Sequence, residues 1–322
     1  MKVKETYIKD IRQGDKIASS FLVAEKSMAF SQKGTPYLNV RLKDKTGELD
    51  AKVWDNAQAL DTVFKKGDIV FIEARTQTYR NALQASIITV KKCNPEDIDP
   101  MDFLPVSQLD TETMFRDMLA YLDKISAPPI KTLLSAFFHD EKTAELFQRA
   151  PAAKGFHHNY LGGLLEHTLS VVRLLDRAAD HYPQLNRDLL LSGGMLHDIG
   201  KIYEFSYDNM VEYSDEGRMI GHLVMGVEMI DKKIEHIPDF PPRLALALRH
   251  IILSHHGEFE FGSPKRPKTL EALVVHFMDD LDAKLNGFES FVNADAANTD
   301  SEWTPFNRFF ERYLYKGKHP VY

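Results

Sequence analysis

The stretch 191-LSGGMLHDIGK-201 restricts this chain more than any other. An apolar run through Leu189, Leu190, Leu191, Met195 and Leu196 leads straight into His197 and Asp198, then Gly200 and Lys201. Burying an imidazole beside a carboxylate is costly unless something pairs with both. A neutral imidazole with a carboxylate suits a divalent cation of mixed nitrogen and oxygen preference. A His-Asp pair alone is equally a surface turn, so the reading depends on what the neighbouring segments bring.

They bring further histidines and an aspartate, each on an apolar stripe. In the segment 161-LGGLLEHTLSVVRLL-175, one stripe holds Leu161, Leu164, Leu165, Thr168, Leu169 and Val172. A second holds Gly163, His167, Ser170, Val171 and Leu174, so this helix is buried on two sides and His167 faces an interior. Alone, such a residue is most simply a core histidine satisfied by a carbonyl. His222 shares a stripe with Met225, Gly226, Met229 and Ile230. His255 shares one with Leu248, Ile251 and Ile252, while His256 is rotated about 100° away. His255 therefore reads as the ligand, and His256 as a group that orients it or faces substrate. Asp279 lies on one strip with Ala272, Val275, His276 and Asp282; Asp280 and Asp282 read as solvent-facing and ligand-orienting. His157 and His158 precede the first of these helices and could reach the same cavity.

Residues 1–95 follow a different period. The segments 20–30, 36–44, 48–55, 68–79 and 83–92 alternate or concentrate β-formers, with turn signals at Lys33-Gly34, Thr46-Gly47 and Lys66-Gly67 between them. Five short strands with a helical patch near 55–64 fit an oligonucleotide/oligosaccharide-binding (OB) barrel. Charge divides at the same place. Residues 1–95 carry 17 Lys and Arg against 11 Asp and Glu, a balance of +6, while the remainder carries 23 against 36, a balance of −13. A basic barrel suits a polyanion. Phe30, Tyr37, Arg41, Lys43, Lys52, Trp54, Arg75, Tyr79 and Arg80 are the candidates for stacking bases and tracking phosphates. Taken singly, Phe30 and Trp54 are more simply barrel core; as a face, the set reads as a surface for single-stranded nucleic acid.

Residues 96–110 hold prolines and acids with little periodicity and read as a linker. Residues 111–322 read as helical, beginning with 111–125 and 130–138, and the aromatic, basic tail 300–322 reads as packing against them. The expected architecture is multidomain α+β, an all-β barrel followed by an all-α domain. No apolar run reaches membrane-spanning length, and the N-terminus has no apolar signal region. Cys93 is the only cysteine, which excludes an intrachain disulfide, suits the cytoplasm and leaves metal binding to His, Asp and Glu.

The ordered array His167, His197-Asp198, His222, His255, Asp279 resembles the HD superfamily of metal-dependent phosphohydrolases, especially its branch with a two-metal site. HDIGK, GHL and SHHG stand in the expected order, and 39-NVRLKDKTGELDAKVWD-55 resembles nucleic-acid-binding OB domains. A barrel joined to an HD domain resembles the YhaM-type 3′-5′ exoribonucleases across essentially the whole chain. The resemblance implies metal-dependent removal of nucleotides from the 3′ end of single-stranded RNA, with single-stranded DNA as a second substrate. It implies Mn²⁺ as the preferred ion, with Mg²⁺, Fe²⁺ or Co²⁺ as alternatives. His167, His197, Asp198 and Asp279 would hold one ion, and Asp198, His222 and His255 the other. Lys201 would neutralise phosphate charge, and His256 and His158 would orient ligands or face substrate. A homo-oligomer is compatible with this reading. Two features depart from the cyclic-dinucleotide phosphodiesterases of the superfamily. Gly163 stands where some two-metal and three-metal HD phosphodiesterases place a Glu, and GEFEFGSPKRP follows His256 in place of the GYP signature that accompanies cyclic-dinucleotide cleavage. A nucleotide or cyclic-nucleotide phosphohydrolase and a non-catalytic RNA-binding regulator are the alternatives.

Overall fold

A computed structural model describes residues 4–79, 82–155, 158–207, 211–296 and 301–317. The chain forms two compact units, Met1–Val106 with Ser206–Glu212, and Ser107–Phe205 with Tyr213–Tyr322.

In the first unit, β1 (Lys16–Phe30), β2 (Pro36–Asp44), β3 (Gly47–Val53), β4 (Ile69–Tyr79) and β5 (Ala82–Lys92) close a barrel in the order β1-β2-β3-β5-β4. The 15 residues of β1 serve two neighbours. Lys16–Leu22 runs antiparallel to β4 and Leu22–Phe30 antiparallel to β2, with a register shift between Val23 and Glu25. Such a bulge bends a strand and lets it turn the corner of a small barrel. β3 and β5 close the ring in parallel, Asp50–Val53 against Gln84–Ile87. This is the OB arrangement. The alternation seen in the sequence holds: Leu38, Val40 and Leu42 point inward with Leu49, Ala51 and Val53, around Phe21, Val23, Val70 and Ile72. The helical patch is the short α1 (Ala57–Asp61). Past β5 the chain is not bare, since Phe103 is buried with Leu22 and Ile69.

The second unit contains α2 (Thr111–Asp123), α3 (Pro128–Phe138), α4 (Glu141–Arg149), α5 (Gly163–His181), α6 (Arg187–Leu196), α7 (Lys201–Glu204), α8 (Asp215–Met219), α9 (His222–Ile234), α10 (Pro242–Ser254) and α11 (Leu270–Ala294). Side chains cap several starts: Asp110 accepts from Thr113 N, Asp140 from Thr143 N, Asn186 from Leu189 N and Thr269 from Ala272 N. α6 is the axis, with every residue from Leu189 to Leu196 buried, packed among α5, α10 and α11. Each buried leucine there contributes about 2 kcal/mol, which helps offset the cost of a polar cluster at the same helix end. In the tail, Thr304 N donates to Leu314 O, Leu314 is buried, and Lys316 pairs with Asp295 at 2.6 Å. Among the described residues, no helix is long and apolar enough to cross a membrane.

Candidate metal centre and strand-binding face

Five histidines are fixed by the same device. Each ring uses Nδ1 to meet an acceptor: His167 on Asp282 Oδ2 (2.7 Å), His197 on Gly194 O (2.8 Å) and His222 on Glu204 Oε1 (2.8 Å). His255 meets Ile252 O (2.9 Å) and His256 meets Phe261 O (2.9 Å). A carbonyl can only accept, so the ring nitrogen there carries the proton. In a neutral ring Nε2 then presents a lone pair, and the partner fixes which nitrogen is free to ligate.

Four of those Nε2 atoms converge on two carboxylates, while His256 Nε2 stands beside that of His222. Asp198 Oδ2 lies 3.3 Å from His197 Nε2 and 3.6 Å from His167 Nε2, while its Oδ1 lies 3.5 Å from both His222 Nε2 and His255 Nε2. Asp279 Oδ1 is 3.1 Å from His167 Nε2 and 3.8 Å from His197 Nε2. His167 and His197 bring Nε2 within 3.2 Å of each other, and so do His222 and His256. Lone pairs facing at that distance repel unless a cation or proton lies between them. Among the described residues, the buried Asp198 Oδ1 and His255 Nε2 have no hydrogen-bond partner. Ligand atoms of His167, His197 and Asp279 fall within 4.8 Å of one another, as do those of His197, Asp198 and His255, and those of His222, His255 and His256. The donor set fits divalent cations of mixed N/O preference.

The electrostatics agree. Burial alone would lower the pKa of His167, but hydrogen bonds to Asp279 and Asp282 raise it to about 9. A positive charge is thus favoured at that spot. Burial opposes ionisation of Asp198 and Asp279, yet Lys201 and His197 hold Asp198 far below the carboxylate range, and His167 and His197 do the same for Asp279. Lys201 is itself buried, its Nζ 2.6 Å from Asp198 Oδ2; burial lowers its pKa and Asp198 more than restores it. For His256, burial and the neighbouring His255 and His222 lower the pKa to about 3, so the ring is a neutral donor of lone pairs.

The structure gathers His167, His197, Asp198, His222, His255 and Asp279 into this one centre and adds His256. α10 ends at Ser254 with His255 as its C-cap still in helical conformation, and His255 and His256 both place ring nitrogens in one cluster with His222. His158 lies on Asp282 Oδ2 (3.0 Å) and Tyr160 Oη (2.8 Å), with Ser170 on the other oxygen of Asp282. It steadies the carboxylate that steadies His167. His157 and Arg80 lie outside the described residues. Gly163 leaves no room for the Glu of some relatives of this site, since a Cβ there would stand 2.1 Å from the His158 carbonyl oxygen. Glu204 was not singled out by sequence. It holds His222 through both the ring and the backbone N (3.0 Å), and no spacing rule marks a Glu in so short a helix as α7.

On the barrel, the outward residues of β2 and β3 sort by environment. Tyr37 stacks on Trp54 at 4.7 Å, and Lys52 Nζ lies 4.7 and 5.2 Å above the two rings. Trp54 and Phe30 are 42% and 68% exposed, so neither is barrel core. Arg41 instead contacts Glu25, Glu48 and Asp50, and Lys43 contacts Glu48. Asn39, Arg41, Asp50 and Lys52 line a groove of about 310 Å³ on the same face. Arg75 and Tyr79 are exposed on β4.

Comparison with known proteins adds the following. A family model described as "HD domain" matches residues 164–284, and one described as "Putative helicase" matches 114–183. A protein of Geobacillus sp. (strain WCH70) named 3′-5′ exoribonuclease YhaM is 33% identical over 274 residues, covering 85% of this chain and 84% of its own length. Its namesake in Bacillus subtilis (strain 168) is 32% identical, covering 85% and 86%. Another in Listeria innocua is 32% identical over 283 residues, covering 88% and 90%. Among solved structures, the second OB-fold domain of replication protein A from Methanococcus maripaludis aligns with 28% of this chain and 94% of its own, at 20% identity and a TM-score of 0.24. The HD match implies dependence on a divalent metal, for which the His/Asp clusters supply ligands.

Proposed function

The chain belongs to the YhaM family of 3′-5′ exoribonucleases, and on that premise we propose that it removes nucleotides from the 3′ end of single-stranded RNA by two-metal hydrolysis, releasing nucleoside 5′-monophosphates. One observation carries the reading: the two oxygens of Asp198 face two different pairs of histidines at 3.3–3.6 Å. Asp198 would therefore help to hold a cation on either side of it. His167, His197 and Asp279 complete one set, and His222, His255 and His256 the other. Bound there, divalent cations, with Mn²⁺ preferred, would supply Lewis acidity at the scissile phosphate and lower the pKa of the attacking water. The chain's own residues do the rest. Glu204, Asp282 and the carbonyls on Nδ1 keep each imidazole aimed, and Lys201 compensates the charge of Asp198 at the edge of the phosphate site. The new bond joins water oxygen to phosphorus, and the bond broken is P–O3′ of the preceding nucleotide. Single-stranded DNA is the second substrate.

In this reading residues 1–95 are the strand-binding barrel, 96–110 connect, and 111–322 hydrolyse. Tyr37, Lys52 and Trp54 offer the binding platform, because Arg41 and Lys43 already answer to carboxylates. Replacing Tyr37 and Trp54 together with Ala is expected to weaken binding of a long single strand at least tenfold, since each stacked base is worth about 1–3 kcal/mol. Arg41→Ala is expected to change it far less, an exposed ion pair being worth about 0–1 kcal/mol. Fluorescence anisotropy with labelled RNA reads both; equal losses in the two proteins would move the strand to another face.

The reaction is tested with 5′-labelled RNA carrying a 3′ single-stranded overhang beside a duplex. In Mn²⁺ the label should shorten stepwise and stall near the duplex, with 5′-monophosphates released, and a 3′-phosphate should slow the first step. Immediate release of a labelled mononucleotide, or cleavage of circular RNA at a similar rate, would overturn the reading.

A further inference from the structure

Beside the metal centre lies a cavity of about 320 Å³, lined by His255, His256 and Asp279 and also by His276, Phe261 and Phe309. Its volume is at the small end of ligand sites, the size of one nucleotide unit rather than a duplex. Of the three histidines that line it, His276 is the one without an assigned role. It sits on α11 one turn before Asp279, and it belongs to none of the metal-type clusters.

Its ring is held in one tautomer and one orientation. Nδ1 lies 2.8 Å from the backbone carbonyl of His255, which can only accept. The proton of a neutral ring is therefore on Nδ1, and Nε2 carries a lone pair. Among the described residues, Nε2 has no hydrogen-bond partner. Gly257 closes against the ring: its φ is +78°, and a Cβ there would meet the three nearest ring atoms of His276 at 2.2–2.5 Å. Both the backbone conformation and the contact demand glycine at 257. The chain thus presents a rigid acceptor in a cavity that adjoins the cation ligands.

The chemistry of a nucleotide in that cavity narrows what the acceptor can meet. Phosphate oxygens are acceptors too and would be repelled by the lone pair. Base donors differ from nucleotide to nucleotide, and Phe261 and Phe309, 62% and 56% exposed, offer stacking faces that accept any base. The donors common to every ribonucleotide, and nearest the phosphate, are the sugar hydroxyls. We propose that His276 Nε2 accepts a hydrogen bond from a ribose hydroxyl of the 3′-terminal nucleotide, making this cavity a sugar-reading subsite. The inference rests on the proposed hydrolysis for the identity of its ligand. If the hydroxyl is the 2′ one, the same contact separates RNA from DNA.

The test compares Mn²⁺-loaded wild-type protein with His276→Phe, which removes the acceptor, and His276→Gln, which keeps one. Adenosine 5′-monophosphate and its 2′-deoxy and 3′-deoxy analogues are titrated by calorimetry. First-step kcat/KM is measured on oligonucleotides ending in the same three sugars. Wild type should disfavour one analogue by about fivefold, the worth of one neutral hydrogen bond, and the disfavoured analogue names the hydroxyl. His276→Phe should abolish that difference and His276→Gln should restore part of it, with Mn²⁺ stoichiometry by equilibrium dialysis unchanged. Equal losses on all three sugars with the discrimination intact would make His276 a mere support for His255 and overturn the proposal. So would loss of bound Mn²⁺ in His276→Phe. Sugar discrimination in binding without any RNA hydrolysis would uphold the subsite and sink the exonuclease reading instead.

Discussion

Asp198→Asn is expected to lower RNA hydrolysis by at least about 10³-fold, the equivalent of about 4 kcal/mol of transition-state stabilisation. Both oxygens of this carboxylate are committed, Oδ2 toward His167 and His197 and Oδ1 toward His222 and His255. An amide keeps the shape but removes the charge, and its NH₂ group turns a donor toward atoms arranged to meet a cation. The substitution also strips Lys201 of its buried partner at 2.6 Å. Leaving one member of a buried pair alone costs about 3–5 kcal/mol, so the variant should melt earlier as well. Asp198→Asn combined with Lys201→Met separates the two effects. The double variant should recover much of the thermal stability and none of the hydrolysis. Single-turnover assays on end-labelled RNA, with melting curves alongside, provide the readout. Near wild-type rates from folded Asp198→Asn would remove Asp198 from the proposed cation site.

The barrel was legible because a half-buried strand has a period of two and its turns are punctuated. Leu38, Val40 and Leu42 alternate with Asn39, Arg41 and Lys43 so plainly that β2 coincides with the expected segment. α4 was not legible. EKTAELFQR buries only Thr143, Ala144 and Phe147, so its one narrow apolar face is easily passed over in a short, mostly polar segment. At the centre, the stripes show only that His167, His222 and Asp279 face an interior, each sharing a helix face with buried apolar residues; their reading as ligands comes from the resemblance to the HD pattern. A wheel through α10 ranks His255 over His256 as ligand, whereas the fold sets ring nitrogens of both in one cluster with His222. Glu204 could not be ranked from sequence, since a carboxylate that aims a histidine from 18 residues away has no local pattern. By sequence alone the aromatic pair Tyr37 and Trp54 shares one face with Arg41 and Lys43. Cross-strand carboxylates at Glu48 and Asp50 then divided that face in a way that only the register of β2 on β3 reveals.

Withdrawal of divalent cations by a chelator is expected to stop hydrolysis entirely and to destabilise the helical unit alone. The five imidazoles aim Nε2 into one buried space beside Asp198 and Asp279, and without cations only protons and Lys201 offset the crowding. A cation present at a hundred times its dissociation constant stabilises the folded state by about 2.7 kcal/mol. For a domain of a few hundred residues, each kcal/mol moves Tm by about 2–4 °C, so chelation should lower the helical transition by several degrees. None of the ligands belongs to β1–β5, so a barrel transition resolved by calorimetry should stay where it is. Adding Mn²⁺ back should return both the activity and the lost degrees. Melting curves that superimpose with chelator and with Mn²⁺ would mean that these side chains hold no cation, and the paired lone pairs at 3.2 Å would need another explanation.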